Sequence, residues 1–537
     1  MTVPPGVSER DFQRALDRFK SAVGNEWVFT SDEDVALYKD AYSPLWSEEA
    51  EKVASAAVAP ISAEQVQEIV RIANEYRVPL YPISTGRNLG YGGAAPALSG
   101  SVVIDLKRMN KILEVDERNA YALVEPGVSY FDLYRHIQER KLKLWIDCPD
   151  PGWGSVIGNA LDHGVGYTMN PYRDHWDGHC GLEVVTGGGE LVRTGMGALP
   201  GSKTWQHFKY GFGPHIDGMF SQSNFGVVTK MGVWLMPEPE AYLEGQALVF
   251  KHDDIIPLVE HMKYLMNTGL QNCGTNLQSP IRFAVGADPE LRTLLTKSDS
   301  ASIERLNAFA AERKIPFYSN WFKFYGPEEV VRAQWAYAKK RMSAIPGAQF
   351  VDGPFYKFPL TDEQILTLRD EQDFGIPTLS TFSIGARSNF SPATYGHVGF
   401  SPVIPMTGEA VIESQRVFET ILQEYARESG RAVALNVFPQ SYHPRTFVIL
   451  IMFNVMHDVA INRRTREVFG RLVKVAAEHG WGEYRTHTAF MDECADAYAF
   501  NDHSLRKLHE TIKDAVDPNG VLSAGRYGIW PKHLRKA

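Results

Sequence analysis

Apolar and polar positions alternate along the first part of the chain with the periods of both helices and strands. One segment has its apolar residues at helical spacing, at Val66, Ile69, Val70 and Ala73. Ser62 stands where a helix N-cap belongs, and Gln65 is placed for a capping box. Short β-like runs follow at 78–83, 101–106, 112–115 and 120–124, and then a helix at 130–140. This mixture predicts an α+β domain rather than a regular βαβ array.

The pattern changes after the break Met-Pro-Glu-Pro-Glu at 236–240. Long amphipathic helices are predicted over 254–266, 327–342, 408–429 and 460–479, with strands over 432–439 and 446–453. A third zone holds a predicted helix over 504–515, the turn 517–520 and a glycine-containing tail. A chain of 537 residues is too long for one hydrophobic core, so we expect two or three domains.

Composition and charge narrow the class of protein. A hydrophobic content of 44% and a charged content of 22% are ordinary for a globular protein. The net charge of −9, without a Lys/Arg run, argues against nucleic acid or an anionic membrane as a partner. The N-terminus does not resemble a secretory leader, and the longest apolar run, 447–453, is too short to cross a bilayer, so we expect a cytoplasmic protein. Disulfides and zinc ribbons are not indicated by the scattered Cys148, Cys180, Cys273 and Cys494.

The most informative stretch is Ser84-Thr-Gly-Arg-Asn-Leu-Gly-Tyr-Gly-Gly93, directly after the strand-like run 78–83. Its glycines and small hydroxyls let the backbone approach a ligand, and consecutive free N–H groups can bind an anion. The spacing fits neither Gly-x-Gly-x-x-Gly nor a P-loop. A tight turn is the alternative interpretation, but Tyr91 is an aromatic hydroxyl that no packing pattern explains.

Two further clusters of small residues lie at 147–167 and 221–229. Glycine-rich segments are entropically costly in a plain scaffold. Three such segments within 150 residues indicate a backbone wrapped around a large flat ligand that carries phosphates. A loop-rich β domain remains the alternative for any one of them.

Four motifs together resemble the para-phenol branch of the vanillyl-alcohol oxidase flavoprotein family, which includes the para-cresol methylhydroxylase type. They are 82–93, Val124-Glu-Pro-Gly127, Gly152-Trp-Gly-Ser-Val-Ile-Gly-Asn159 and Asp517-Pro-Asn-Gly520. The resemblance extends over essentially the whole chain. It implies a two-domain α+β fold, in which an FAD-binding domain at 1–237 is completed by 481–537. Residues 238–480 would then form an α+β cap over the isoalloxazine ring.

The resemblance also implies which residues contact FAD. In the first segment these are Ser84, Thr85, Gly86, Arg87, Asn88, Leu89 and Gly90. The second and third segments would contribute Trp153, Gly154, Ser155, Gly158, Asn159, Gly166, Tyr167, Gly226, Val227 and Val228, and the tail would contribute Arg526.

His397, in the motif 395–402, matches the histidine that binds flavin covalently in part of the family. Other members use a tyrosine upstream, and the corresponding segment 383–392 contains none, which favours His397. Covalent attachment would raise the flavin potential and assist hydride acceptance. Extra residues relative to the family near 169–175 and 383–396 have no assigned role.

Tyr91, Tyr484 and Arg485 match the residues with which the family binds a phenolate. A free phenol has a pKa of about 10, so binding it as phenolate at neutral pH takes about 4 kcal/mol of preferential stabilisation. Two tyrosine hydroxyls and a permanently charged guanidinium are suited to supply that stabilisation.

Asp150 matches the acid that faces flavin N5 in the family's oxidases. A carboxyl group there can exchange a proton with an intermediate or with water. Asp147 is the competing candidate, and a loop aspartate beside proline is often only a turn former.

One possible metal site is set aside, and no metal is expected. Asp174, His175, His179 and Cys180 are ligand-type residues, but Gly178 disfavours the helix that would align them. No second ligand pair follows at zinc spacing.

The resemblance therefore implies an FAD-dependent oxidase of 4-alkylphenols and 4-hydroxybenzyl alcohols. Benzylic hydride transfer would give a para-quinone methide, and dioxygen would be reduced to hydrogen peroxide. The alternative is a dehydrogenase that passes electrons to a cytochrome, which the missing leader and the missing tyrosine disfavour. A non-catalytic flavin-binding or sensor protein is a third reading. The resemblance also suggests a homodimer or a higher assembly of dimers.

Overall fold

The computed structural model describes residues 2–168, 174–286, 288–380, 396–429 and 438–535. The α-helices of this part of the chain are α1 Glu9–Val23, α2 Asp32–Ala36, α3 Ala63–Tyr76, α4 Tyr130–Glu139, α5 Val156–Leu161, α6 Ile255–Asn267, α7 Pro280–Val285, α8 Pro289–Leu294, α9 Ser300–Arg313, α10 Glu328–Met342, α11 Asp362–Ile365, α12 Gly408–Ser429, α13 Val459–Glu478, α14 Met491–Asp496 and α15 Phe500–Val516.

The strands are β1 Val28–Phe29, β2 Ala56–Val58, β3 Leu80–Ile83, β4 Val102–Asp105, β5 Ile112–Asp116, β6 Tyr121–Val124, β7 Leu144–Trp145, β8 His179–Thr186, β9 Leu191–Arg193, β10 Gly226–Trp234, β11 Met236–Pro237, β12 Ala241–Val249, β13 Thr275–Gln278, β14 Tyr318–Gly326, β15 Gln349–Lys357, β16 Gly396–Phe400, β17 Val403–Pro405, β18 Phe438–His443 and β19 Thr446–Val455.

Two larger sheets, and a two-stranded sheet of β7 and β11, form the first part of the fold. A four-stranded sheet has the order β1-β2-β4-β3, in which β2 and β3 both run parallel to β4. A five-stranded antiparallel sheet has the order β5-β6-β10-β8-β9. Helix α3 connects β2 to β3 and buries its predicted apolar stripe. The predicted α+β architecture is therefore confirmed.

Helix α3 begins as predicted, but its N-terminal hydrogen bonds differ in one respect. Ser62 Oγ accepts the backbone N–H of Gln65 at 3.4 Å, which is the expected N-cap. The Gln65 side-chain oxygen accepts from the backbone N–H of Ile61 at 2.7 Å instead of from Ser62. The predicted capping box is therefore wrong: the glutamine reaches one residue further back.

The larger sheet has eight strands and is antiparallel throughout. Its order is β15-β12-β14-β13-β18-β19-β16, and β17 pairs with β19. Helices α6, α10, α12 and α13 contribute buried apolar residues to the core beside this sheet. These helices and β19 lie within two residues of their predicted bounds. The predicted strand 432–439 falls largely outside the described residues, and the domain boundary at 237/238 stays a prediction.

The segment after α15 returns to the first sheet and extends its edge. The backbone N–H of Leu80 in β3 donates to Val521 O at 2.7 Å, and Ser523 N–H donates to Leu80 O at 2.8 Å. The fully buried Lys513 ammonium forms an ion pair with Asp517 at 2.8 Å and donates to the backbone carbonyl of Leu522. The C-terminal segment is thus fixed to a strand more than 400 residues earlier in the sequence.

Among the described residues, the helices are all too short or too polar to cross a lipid bilayer.

Candidate cofactor and substrate site

A cavity opens where β3, β10, the start of α5 and the C-terminal segment meet. Most of the residues predicted to contact FAD or substrate line it: Ser84, Thr85, Gly86, Arg87, Asn88, Leu89, Tyr91, Asp150, Gly154, Ser155, Gly158, Asn159, Gly226, Val227, Val228, Arg485 and Arg526. All three glycine-rich segments therefore face one space, although they are far apart in the sequence.

The glycine-rich turn after β3 presents unused hydrogen-bond donors. Gly86 and Gly90 have φ of 66° and 84°, which glycine adopts without steric cost. Within the described chain, the backbone N–H groups of 85–90 donate to no other group. The buried Asn88 Oδ1 also has no hydrogen-bond partner there. A run of free donors beside a buried acceptor suits a ligand with phosphate and carbonyl groups, and FAD meets that requirement.

The second glycine-rich segment packs directly against the first. Ser155 caps α5 by accepting from the Gly158 N–H at 3.0 Å, and its hydroxyl donates to Pro126 O at 2.6 Å. A Cβ at Gly158 would lie 2.4 Å from Ser84 Oγ. Glycine at this position therefore allows α5 to approach the turn and narrows the cavity between them.

A polar network at the C-terminal end of the cavity was not predicted from the sequence. Arg526 donates to the Tyr81 hydroxyl at 2.9 Å and to an Asp162 carboxylate oxygen at 3.1 Å. The Tyr527 hydroxyl also donates to Asp162. Arg526 was predicted, but its partners Asp162, Tyr81 and Tyr527 have no local pattern that marks them. Only the tertiary fold brings them together.

His397 lies on β16 and contacts the glycine-rich turn. A Cβ at Gly90 would lie 2.9 Å from the His397 carbonyl oxygen and 3.3 Å from its ring carbon Cδ2. The Tyr42 ring packs edge-on against the imidazole, with ring centres 5.1 Å apart. Burial lowers the pKa of His397 to about 4, so the imidazole is neutral at neutral pH.

The three residues predicted to bind phenolate are brought together. The Arg485 guanidinium carbon lies 4.4 Å from the centre of the Tyr91 ring and 5.1 Å from that of Tyr484. Burial lowers the pKa of Arg485, but the adjacent Tyr484, Tyr91 and Asp162 outweigh it and raise that pKa above its usual value. In this arrangement the Tyr484 hydroxyl donates to the His163 carbonyl. A permanently cationic group thus stands between two phenolic side chains.

Arg485 also borders a second cavity. Tyr484, Arg485 and Tyr527 line this space of about 290 Å³, together with residues of α14 and α15. Arg485 and Tyr527 line the first cavity as well. The guanidinium therefore lies in the wall that separates the two spaces.

Asp150 and Asp147 have different surroundings. Asp150 lines the first cavity, and its Oδ2 accepts from the Ser380 hydroxyl at 3.1 Å. Asp147 accepts from the backbone N–H groups of Gly166 at 3.2 Å and Thr168 at 3.0 Å, and His175 Nε2 lies 3.1 Å away. Asp147 thus holds a loop in place, while Asp150 faces the cavity.

The remaining predicted residues lie next to the cavity rather than in its lining. The Arg87 guanidinium packs 4.7 Å from the centre of the Trp153 ring. Gly166 lies so close to Asp147 that a Cβ would overlap the carboxyl group. Desolvation and the nearby carboxylates of Asp150 and Asp373 raise the pKa of Tyr167. The individual roles of the site residues stay predictions.

The residues weighed as metal ligands do not converge on one point. Asp174 lies 3.6 Å from His163, and His175 contacts Asp147. Cys180 Sγ lies 3.4 Å from the Trp205 carbonyl oxygen. His179 points away from these residues, toward the carboxylate of Asp217, 38 residues further along the chain.

Comparison with known proteins gives matches over both parts of the fold. A family model described as an FAD binding domain matches residues 54–195, and one described as the C-terminal domain of FAD linked oxidases matches residues 387–527. The 4-cresol dehydrogenase [hydroxylating] flavoprotein subunit of Pseudomonas putida is 32% identical over 528 residues, which cover 98% of this chain and 97% of the relative. The 1'-carboxy-chondrochloren decarboxylase of Chondromyces crocatus is 38% identical over 573 residues, covering 98% and 99%.

A solved structure resembles the whole fold. The 4-ethylphenol oxidase from Gulosibacter chungangensis superimposes with a TM-score of 0.82 at 35% identity, covering 99% of this chain and 100% of that one.

Proposed function

The chain belongs to the vanillyl-alcohol oxidase family of FAD-linked oxidoreductases, and from this premise we propose that it oxidises para-substituted phenols. Relatives over the full length include a 4-cresol dehydrogenase subunit and a 4-ethylphenol oxidase. We infer that the substrates here are 4-alkylphenols and 4-hydroxybenzyl alcohols. Bound FAD supplies a hydride acceptor for this chemistry.

The contact of the Arg485 guanidinium with the rings of both Tyr91 and Tyr484 carries the proposal. The Arg485 guanidinium and a tyrosine hydroxyl donor bind a phenolate oxygen more strongly than the neutral phenol. The Tyr484 hydroxyl would add a second donor by turning from the His163 carbonyl to the substrate. Holding the substrate as phenolate pushes electron density through its ring toward the para carbon. The benzylic carbon thereby becomes a better hydride donor, and loss of hydride leaves a para-quinone methide.

Asp150 is proposed as the acid/base group for the quinone methide. Its carboxyl group faces the cavity and is held by the Ser380 hydroxyl, which fixes its orientation. It can take a proton from a water that attacks the benzylic carbon, or from the carbon next to it when an alkene forms. The first route gives a benzylic alcohol from a 4-alkylphenol.

His397 is proposed as the covalent attachment point of FAD. Its neutral imidazole keeps a nitrogen lone pair, and it lies directly against the glycine-rich turn. The absence of a tyrosine from the sequence of 383–392 supports the same assignment, and that segment lies outside the described residues.

We favour an oxidase that uses dioxygen, with a cytochrome-linked dehydrogenase as the second candidate. The name of the Pseudomonas putida relative, a dehydrogenase flavoprotein subunit, supports the second candidate. The 4-ethylphenol oxidase and the predicted histidine link support the first. A homodimer or larger assembly remains a prediction from the family resemblance.

Turnover of 4-ethylphenol and 4-hydroxybenzyl alcohol distinguishes these possibilities. An oxidase releases one hydrogen peroxide per product in air, whereas a dehydrogenase turns over only with an added cytochrome c or dye acceptor. The 4-methoxy analogues, which cannot form a phenolate, should not react. If the holoprotein oxidises no free phenol with any of these acceptors, the result would instead support a non-catalytic flavin-binding or sensor protein.

A further inference from the structure

We propose that His179, His215 and Asp217 form a binding site for a divalent transition metal ion, with Zn²⁺ as the best match. His179 opens β8, and Asp217 begins a short 3₁₀ helix, Asp217–Phe220. None of the three lines the proposed cofactor cavity, so this site is separate from the phenol chemistry.

The three side chains are spaced as ligands of one small ion. His179 Nε2 lies 3.2 Å from Asp217 Oδ2, and His215 Nδ1 lies 3.6 Å from Asp217 Oδ1. One ligand atom from each residue can be chosen so that all lie within 4.8 Å of one another. Tetrahedral ligands of Zn²⁺, at about 2.0–2.2 Å from the ion, are roughly 3.4 Å apart. Small side-chain movements therefore suffice to coordinate an ion.

The hydrogen bonding of His179 turns its Nε2 toward the proposed ion position. Its Nδ1 contacts the Trp176 carbonyl oxygen, which can only accept, so Nδ1 carries the hydrogen. The other ring nitrogen, Nε2, lies 3.2 Å from Asp217 Oδ2, and an ion bound there would take the place of that contact. A ring N–H that donates to a backbone carbonyl is also the usual outer contact of a metal-bound histidine.

The described protein groups do not fully compensate the burial of the Asp217 carboxylate. It is fully buried, and its Oδ1 has no hydrogen-bond partner among the described residues. The nearby Lys209 ammonium donates to the Asp177 carbonyl instead. A buried carboxylate is costly unless it is paired or bound to a metal. A divalent cation would offer this carboxylate both charge and a direct bond to the oxygen that has no hydrogen-bond partner.

Aromatic contacts hold both imidazoles in position. Trp176 stacks on His179 with ring centres 3.7 Å apart, and Tyr210 packs edge-on against His215 at 5.0 Å. The His215 side chain is 33% exposed, so water can complete the coordination and the ion can enter from solvent. A bound ion would join the loop before Asp217, which carries the fully exposed Phe212, to the end of the five-stranded sheet.

Titration calorimetry of Zn²⁺ into the untagged holoprotein tests the site. The protein is first dialysed against EDTA and then against buffer. We expect one Zn²⁺ per chain, with affinity lowered at least about 10-fold by His215→Ala and by Asp217→Asn. His207→Ala is the matched control, because His207 is an exposed histidine in the same loop. It should bind Zn²⁺ like the wild type.

A second measurement, limited proteolysis, does not require the Asp217→Asn variant to fold. Zn²⁺ should slow tryptic cleavage after Lys209 in the wild type and in His207→Ala, but not in His215→Ala. The proposal is overturned if the wild type binds no Zn²⁺, or if His207→Ala weakens binding as much as His215→Ala.

Discussion

The guanidinium carbon of Arg485 lies 4.4 Å from the centre of the Tyr91 ring, so the glycine-rich turn and a C-terminal loop meet at one cation. Residues from two distant parts of the chain must be folded together before this pair exists. Phenol binding should therefore depend on the folded site, and Arg485 and Tyr91 can each be tested by substitution.

Arg485→Ala should weaken binding of 4-alkylphenols to the oxidised enzyme by about 10- to 100-fold, because hydrogen bonds to a charged group contribute about 1.5–3 kcal/mol. Arg485→Lys should recover part of the loss, since lysine keeps the charge but not the planar fork. Flavin absorbance changes during titration measure the affinity. Arg506→Ala, which alters only the second cavity, is the control. Equal affinity in Arg485→Ala and wild type would contradict phenolate binding at this residue.

Asp150→Asn should slow flavin reduction by about 10²–10⁴-fold while phenolic inhibitors still bind, because it removes a general acid/base group. Asp147→Asn should leave the rate per bound FAD nearly unchanged. It should instead lower the free energy of unfolding by about 1–3 kcal/mol, since its carboxylate accepts from the Gly166 and Thr168 backbone. Stopped-flow reduction and denaturant unfolding measure the two effects. The reverse pattern would move the assignment to Asp147.

His397→Ala should release FAD into the supernatant when the protein is precipitated with acid, whereas wild-type protein should keep its yellow colour in the pellet. The expected cause is loss of the covalent bond to the imidazole. His252→Ala, a histidine of the larger-sheet region beside Asp253, is the control and should behave like the wild type. Free FAD from the wild type would show that the flavin is not covalently bound.

The half-buried His397 should also make the flavin-free protein sensitive to acid. Its pKa is about 4 when folded, against about 6.5 when unfolded, so the unfolded chain binds more protons between these values. Stability is then fully present above pH 6.5 and falls by about 3 kcal/mol as the pH drops to 4. His397→Gln, expressed without flavin, should show a shallower decrease in denaturant unfolding over this range. Identical slopes would mean that the imidazole is not desolvated.

Gly90→Ala should reduce FAD content far more than Gly201→Ala. Both glycines have φ in the left-handed region, at 84° and 71°, so both substitutions strain the backbone by about 1 kcal/mol. Only at Gly90 does the new methyl group meet the His397 carbonyl, at 2.9 Å, whereas nothing lies within 4 Å at Gly201. The ratio of flavin to protein absorbance measures the difference. Similar losses in both variants would assign the effect to backbone strain alone.

The sequence predicted those features of the fold that depend on local patterns. The apolar spacing of α3 and its Ser62 cap identified the helix and its first residue, because capping and burial act within a few residues. Strands β8 and β10 were not predicted, because both lie buried in the sheet and carry many valines and glycines without clean alternation. Their pairing is decided by neighbours in the sheet rather than by their own pattern.

In the candidate site, too, local features could be predicted from the sequence, and contacts between distant residues could not. The glycine-rich turn was recognisable because its chemistry is contained in ten consecutive residues. Asp162 and Tyr527 were missed, since Asp162 accepts from Arg526 and from Tyr527 across 364 and 365 residues of sequence. His179 was noticed, but its contact with Asp217 spans 38 residues and leaves no spacing signature.

The attachment of the C-terminal segment to β3 also sets the order of events during synthesis. A nascent chain that has emerged only as far as residue 500 already contains the glycine-rich turn and the larger sheet. It lacks the backbone of Val521 and Ser523, which pairs with Leu80, and it lacks Arg526 in the cavity wall. The cofactor cavity therefore closes only after these residues have left the ribosome, so stable flavin loading has to follow their synthesis.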